Sequence, residues 1–444
     1  MTELQTADIV IVGGGLTAQI MARALAHSGY EITCVTRPAP LASPAHSETR
    51  ERDTRTTTIH AAGQRMLEAL GIWALCTPKA EPITHIYVGA DNVDHDWPLK
   101  FTSGTGTSSA NMAGTNSFGD KAAISANPMA YTVDNQALID ALATHKAAKD
   151  ITTIEADITS IDFSSETPKL QLQTGTILSC DLVIGCDGAG SFTRQEAGLK
   201  MWPRTTNQKA IVTRIRAEHH HKQAAYQRFL PEGPLAFMPL QNNMLALVWS
   251  LSEARADALL AADDADFEAA LNRDFGPELG HLSLSQTDDN IRQIWPLRPT
   301  IIPQLTAKGL VLAGDAAHAL HPLAGMGFNL ALADMAVLAD ILHDSYHRGL
   351  PAGHAANLSY YTHRRRPEIL AMSAVTEGLN RLFSYNALGH NHYGAAHLSR
   401  LAILGMRLIG KSRLNTQISK LAMGGILSSA KLLDGILPDK HQPK

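Results

Sequence analysis

The 444-residue sequence is short of several things that would settle its class at once. It has only 4 cysteines, Cys34, Cys76, Cys180 and Cys186, none at CxxC spacing. This argues against a zinc ribbon or a disulfide framework and points to reduced thiols in a core. Excess charge of either sign is also missing, since 38 Lys plus Arg face 42 Asp plus Glu. Such balance leaves no footprint for nucleic acid. No apolar run reaches the ~20 charge-free residues of a spanning helix, because Asp315, Asp334 and Asp340 interrupt the most hydrophobic region. No basic segment precedes the first apolar run in MTELQTADIVIVGGG, so the chain reads as cytoplasmic, with any membrane contact peripheral on the inner face.

What is there begins at once. DIVIVGGGLTAQIMARALAHSGYEITCVTR reads as a short β-branched strand, a glycine turn, an Ala/Leu-rich helix ending near Gly29 and a second strand, 32–35. Gly13 and Gly15 take the first two positions of GxGxxG, where missing side chains allow a tight turn and close approach of backbone to a pyrophosphate. Ala18 replaces the third glycine. An acid is expected ~20 residues on, to hold ribose hydroxyls; Thr36 stands there instead, followed by Arg37.

Two more strand-to-turn motifs lie far along the chain. CDLVIGCDGAGSFTRQEAG leads through Asp187 and Gly188 to Ser191 and Arg194. KGLVLAGDAAHALHPLAGMGFNLALADMAVLADIL leads through Gly314 and Asp315 into a long helix. Each alone is readable as a turn with an Asp cap. The order GGGLTA, CDGAGSFTR, AGDAAHALHPLAGMGFNLALAD resembles the class A flavoprotein aromatic hydroxylases, the para-hydroxybenzoate hydroxylase fold, over most of the chain. RTTTIHAAGQRMLEALGIW, EPITHIYV, FLPEGPLAFMPL, VWSL and HPLAGMGFNLAL look more narrowly like the ubiquinone-biosynthesis hydroxylase family.

That resemblance implies an α/β protein that binds FAD. A Rossmann-like domain would be assembled from 1–78, 128–200 and 300–375, a β-sheet substrate domain from 79–127 and 201–299, and a C-terminal helical region from 376–444. Gly13 and Gly15 would face the FAD pyrophosphate, with Thr36 and Arg37 beyond them. Arg55 and Gln136 would lie near the cofactor, Asp187 and Gly188 would support it, and Asp315 after Gly314 would hold its hydroxyls. Pro322 to Asn329 would run beside the isoalloxazine, with Gly325 and Gly327 lacking the Cβ that would lift backbone off a flat ring. Relatives usually carry glutamine where this chain has Met326. The late helix would direct its positive end at the reduced flavin, worth ~0.3–2 kcal/mol.

The implied reaction is hydroxylation of a polyprenyl phenol with O2, through a flavin C4a-hydroperoxide, in ubiquinone biosynthesis. Electrons would come from NAD(P)H or a separate reductase, since no second strand-GxGxxG-helix unit exists. His321 has a ring suited to proton handling, or it anchors the loop by hydrogen bonding. His318 and His321 have no further ligand cluster nearby, so no metal is expected. The run His219 to His221 reads as solvated surface. The tract 101–120 reads as a loop poor in apolar residues.

In the tail, Arg407 and Lys411 each fall within ~20° of Arg400 at 3.6 residues per turn, beside Leu401, Leu404 and Leu408. Two readings fit: an anionic membrane surface, or packing on the FAD domain, a second subunit or other quinone-biosynthesis proteins. Rival functions are a hydroxylase of a small soluble aromatic, a scaffold without flavin, and a prenyl reductase.

Overall fold

The computed structural model describes residues 4–38, 55–90, 97–103, 128–145, 151–203, 206–285, 291–386, 401–404, 406, 408 and 429–438. Its centre is an 8-stranded sheet built on the β-branched runs. The first strand, Leu4–Val12, pairs in parallel with Ile177–Gly185 on one side and Ile32–Thr36 on the other. Ile9, Val10 and Ile11 are fully buried, as a parallel strand covered on both faces requires. Leu310–Leu312 and Thr152–Glu155 extend the parallel pairing outward. All three glycine-bearing turns therefore leave the same end of one sheet. That common end is the origin of the site.

The helix Met326–His347 packs against Leu16–Leu25 and runs through the core. Among the described helices it alone is long and apolar enough to cross a membrane, with mean hydropathy 1.3, but 83% of that window is buried inside the protein. It is the central helix of the fold.

A second 8-stranded sheet contains Gln208–Ala217 and Met244–Ser252, paired antiparallel with Ile211 opposite Trp249. Period-two alternation divides its faces. Ile211, Ile215, Phe237, Leu247 and Trp249 pack beneath the helices Glu253–Ala261 and Asp264–Phe275. By the same register Val212, Ala225, Ala236, Met238, Ala246 and Val248 line the opposite, inner face. That face looks toward a 3-stranded sheet of Thr56–His60, Ala130–Asp134 and Ala80–Ile83, since Arg214 reaches Asp134 at 2.8 Å and Trp295 lies under Arg55.

Several expectations change. The helix Ala355–Phe383 is continuous through the boundary placed at 375. His221 is buried, its ring Nε2 2.9 Å from the Leu240 carbonyl, so only His219 and His220 of that run are surface groups. Most of the 101–120 tract lies outside the described residues. All four cysteines are buried free thiols.

Candidate active site

The turns converge on one cavity of about 620 Å³, a size that suits a cofactor. Of the residues singled out from sequence, Gly13, Gly15, Thr36, Arg37, Arg55, Asp187, Gly188 and Asp315 line it. Gly15 caps the helix Leu16–Leu25 without any side-chain hydrogen bond, and no acid occupies the first turn. The opening amides are thus left for an anion. A Cβ added at Gly15 or Gly188 would meet nothing within 4 Å, so both present bare backbone to open space. That cradle fits a dinucleotide pyrophosphate.

Gly13 has a different reason to be glycine. Its φ is +136°, and a Cβ would stand 2.5 Å from the Cys186 carbonyl oxygen. It lets the first turn lie against the second. Gly14 does the same toward Thr36, whose Oγ1 would lie 2.2 Å from an added Cβ.

Asp315 is open to the cavity, yet protein surrounds it. The loss of water pushes its carboxyl above the usual carboxylate range, against the pull of His318 and Arg55. Arg55 also sits 4.9 Å from the Trp295 ring, joining the cavity wall to the second sheet. Arg37 is largely exposed and 3.8 Å from Asp157, a surface pair of little energetic weight. Asp187 lines the cavity, but both of its oxygens accept from Thr193, from the N–H at 2.9 Å and the hydroxyl at 3.0 Å. It braces its own turn.

Other candidates stand elsewhere. Gln136 bonds Asp140 on the side of its helix, and the neighbouring Asn135 lines the cavity, tied to Thr57 at 2.6 Å. Gly314, Pro322, Gly325, Met326, Gly327 and Asn329 do not line it, whereas Phe328 does. The Cβ space of Gly325 is filled by Thr58, 2.7 Å away, and its φ of +62° starts the late helix; only Gly327 faces open space. Met326 packs with Leu330 and Met372. Asn329 spends its amide on the carbonyls of Thr58 and Gly325 and its oxygen on the N–H of His60. It clips the strand Thr56–His60 to the late helix.

His321 also lies off the cavity, 2% exposed, and neither ring nitrogen has a partner among the described residues. Loop anchoring through that ring is therefore corrected; the backbone carbonyl of His321 accepts from Leu323 at 2.7 Å instead. Burial pushes the ring down to about 4, so it is neutral at pH 7 and a poor proton acceptor.

Sequence reading missed two supports. Arg194, 3% exposed, donates to the carbonyls of Ala316 and Ala189 at 2.9 and 2.8 Å, fastening the second turn to the third. Asp334 lies fully buried within the core helix, 2.7 Å from both His318 Nε2 and Arg365 Nε. Burial alone would raise its carboxyl, but His318 and Arg365 hold it below the usual range.

A family profile described as FAD binding domain matches residues 6–376. Ubiquinone hydroxylase UbiL of Rhodospirillum rubrum is 33% identical over 390 residues, across 86% of this chain and 82% of its own. The 3-demethoxyubiquinol 3-hydroxylase of Escherichia coli is 29% identical over 387 residues, across 86% and 91%. Among solved structures, Pseudomonas aeruginosa PqsL in complex with 2-aminobenzoylacetate has a TM-score of 0.68 at 18% identity, over 88% of this chain and 100% of that one. Klebsiella pneumoniae HpxO, complexed with FAD and uric acid, has 0.68 at 14%, over 96% and 98%. These two show the fold. Fold and site define an FAD-dependent oxidoreductase. The chain belongs to the FAD binding domain family, as an FAD-dependent monooxygenase that acts on an aromatic substrate with O2.

Proposed function

We propose that this enzyme hydroxylates the aromatic ring of a polyprenyl phenol on the route to ubiquinone. One observation supports this beyond the names of its relatives: the inner face of the second sheet is built from small and aliphatic side chains, Val212, Ala225, Ala236, Met238, Ala246 and Val248 among them. It runs into an apolar cluster of Phe229, Leu323 and Phe383 beside the loop after His321. Of the two arginines that project from this face, Arg216 is exposed and Arg214 is neutralised by Asp134 at 2.8 Å. A free carboxylate would find that cation already paired; an isoprenoid chain would find apolar surface.

FAD, when bound and reduced, would supply the electrons that activate O2, from which one oxygen atom goes to the ring and the other to water. The chain's own residues bind, orient and exclude water. The Gly13 to Gly15 turn and the amides of Leu16 and Thr17 would receive the pyrophosphate charge. Asp315 would accept from cofactor hydroxyls, and Arg55 adds positive charge to the same wall. Arg194 and Asp334 fix the turns that carry these groups. The inner sheet face keeps the ring dry, which suppresses loss of reducing equivalents to peroxide.

The test is a single turnover of the FAD-loaded chain, chemically reduced and mixed with labelled O2. A short-chain prenyl phenol should gain one labelled oxygen atom, and 4-hydroxybenzoate should not. Equal hydroxylation of both would replace the prenyl reading with a small-aromatic one. A chain that takes up no FAD would favour the scaffold.

A further inference from the structure

A second cavity, of about 680 Å³, shares no lining residue with the first. One wall is the hairpin joining Thr306–Ala307 to Leu310–Leu312, and the other is the opening turns of the helix Ala355–Phe383. The third glycine turn leaves the sheet beyond Leu312, whereas this hairpin closes the opposite end. From Leu310 to Gly314 an extended chain covers ~13 Å at 3.3 Å per residue, so the groove is a separate place from the cofactor cradle. Lys308, His363 and Arg366 line it, none of them ion-paired among the described residues, and no carboxylate stands among the lining side chains. Thr306, Ser359 and Thr362 add hydroxyls, the first and last of them 3.0 Å apart. The helix begins at Ala355 on the same wall, and its positive end adds to the potential there. Ala307, Leu358 and Pro367 supply an apolar floor.

We propose that this groove binds a phosphate-bearing small molecule and that its occupancy is transmitted to the flavin site. Lysine, arginine and three hydroxyls around one space suit the several oxygens of a phosphate or diphosphate, and the volume leaves room for an organic group on the apolar floor. The transmission has a physical route. Tyr361 and Arg365 stand on the same turns of the helix as Leu358, Thr362 and Arg366, which face the groove. Tyr361 donates its hydroxyl to the Leu312 carbonyl at 3.0 Å, and Arg365 Nε lies 2.7 Å from Asp334, whose other oxygen accepts from the Gly314 N–H. A ligand that fastens the hairpin to this helix therefore steadies both supports of the turn that carries Asp315. Order supplied by one ligand need not be supplied by the other, so FAD and the groove ligand favour each other's binding. The inference stands apart from the choice of aromatic substrate.

The experiment uses the full FAD-loaded chain, so that the first cavity is filled, and titrates it calorimetrically with inorganic pyrophosphate and with ADP at fixed ionic strength. Each should bind at one saturable site. K308A and R366A should each weaken that binding about fivefold or more, the worth of one charged hydrogen bond. Both side chains are exposed, so flavin content and the melting temperature without ligand should stay at wild-type values. Release of FAD on dilution, followed by its fluorescence, reads the transmission. Pyrophosphate should slow that release about fivefold or more in the wild type and leave R366A at its unliganded rate. Three results would overturn the proposal: uptake that never saturates or only follows ionic strength, equal binding by the wild type and both variants, or FAD release that is unchanged or quickened by the anion. Quickening in both proteins would show pyrophosphate competing for the cofactor cradle instead.

Discussion

The backbone N–H of Gly314 donates to Asp334 Oδ2 at 2.9 Å. A carboxylate on the core helix thus holds the turn that presents Asp315 to the cavity. Gly314 allows the contact, since its φ is +61° and a Cβ would press to 2.9 Å from Thr17. The other side of Asp334 is closed by Arg365, which also pairs with Glu368 and donates to the Leu330 carbonyl.

Removing that carboxylate should therefore damage fold and site together. Asp334→Ala leaves Arg365 buried with one partner fewer and frees the Gly314 N–H, and the loss of one member of a buried pair costs ~3–5 kcal/mol. Urea unfolding and bound-flavin absorbance measure both effects. A loss below ~1 kcal/mol with full flavin content would show the network to be dispensable.

Asp315→Ala should act on the cofactor alone. The side chain faces the cavity and makes no hydrogen bond with another of the described residues, so its loss leaves the apo-protein's melting temperature near wild type. FAD affinity should fall by ~1–3 kcal/mol, because cofactor hydroxyls lose a charged acceptor. Fluorescence titration of the apo-protein with FAD provides the value. An unchanged dissociation constant removes Asp315 from the site.

How much of this was legible in the sequence follows from the range of the interactions. The three turns could be read because glycine and small residues after a β-branched run are local signals. The roles inside the late loop could not. Asn329 bonds Thr58, 271 positions away, and the His60 N–H, 269 away; nothing near Asn329 announces those partners. Gln136 was one residue off. On a helix each step turns the side chain by about 100°, and Asn135 points into the cavity while Gln136 turns to Asp140. Met326 reads as a substitution at a flavin contact, but its side chain packs on Leu330 and Met372, where thioether suits an apolar gap. Asp334 reads as an interruption of an apolar run because its partner, Arg365, lies on the next helix.

His321 should leave a mark on the pH dependence of stability. Its ring is pushed from 6.5 down to about 4 by burial, so the folded state binds that proton less readily than the unfolded state does. Stability then rises with pH between about 4 and 6.5 and is level above, with roughly 2 kcal/mol lost on going from pH 7 to pH 4.5. His321→Phe removes the titrating ring, and its unfolding free energy should fall less over the same interval. Buried His221 keeps its own contribution, so the slope should flatten without vanishing. Identical slopes for the two proteins would mean that the ring is already protonated or already solvated in the folded state.

Gly13 and Gly15, two residues apart in one motif, should fail in different ways. Gly13 has a φ of +136°, and the atom it would strike is the Cys186 backbone oxygen at 2.5 Å, which cannot swing aside. Gly13→Ala is expected to cost ~1–3 kcal/mol of fold stability from the backbone conformation alone, in the presence or absence of FAD. Gly15 has a φ of −78°, and a Cβ there meets nothing within 4 Å. Gly15→Ala should melt within ~1 kcal/mol of wild type as apo-protein, because that φ suits alanine and only its poorer standing at a helix N-cap counts against it. Its methyl group projects into the cavity in front of the uncapped helix amides, where the pyrophosphate is to lie. FAD affinity should drop at least about tenfold, or ~1.4 kcal/mol. Apo-protein melting and FAD titration of both variants separate the two effects. If Gly15→Ala binds FAD as the wild type does, the open space before those amides is not where the cofactor's charge sits.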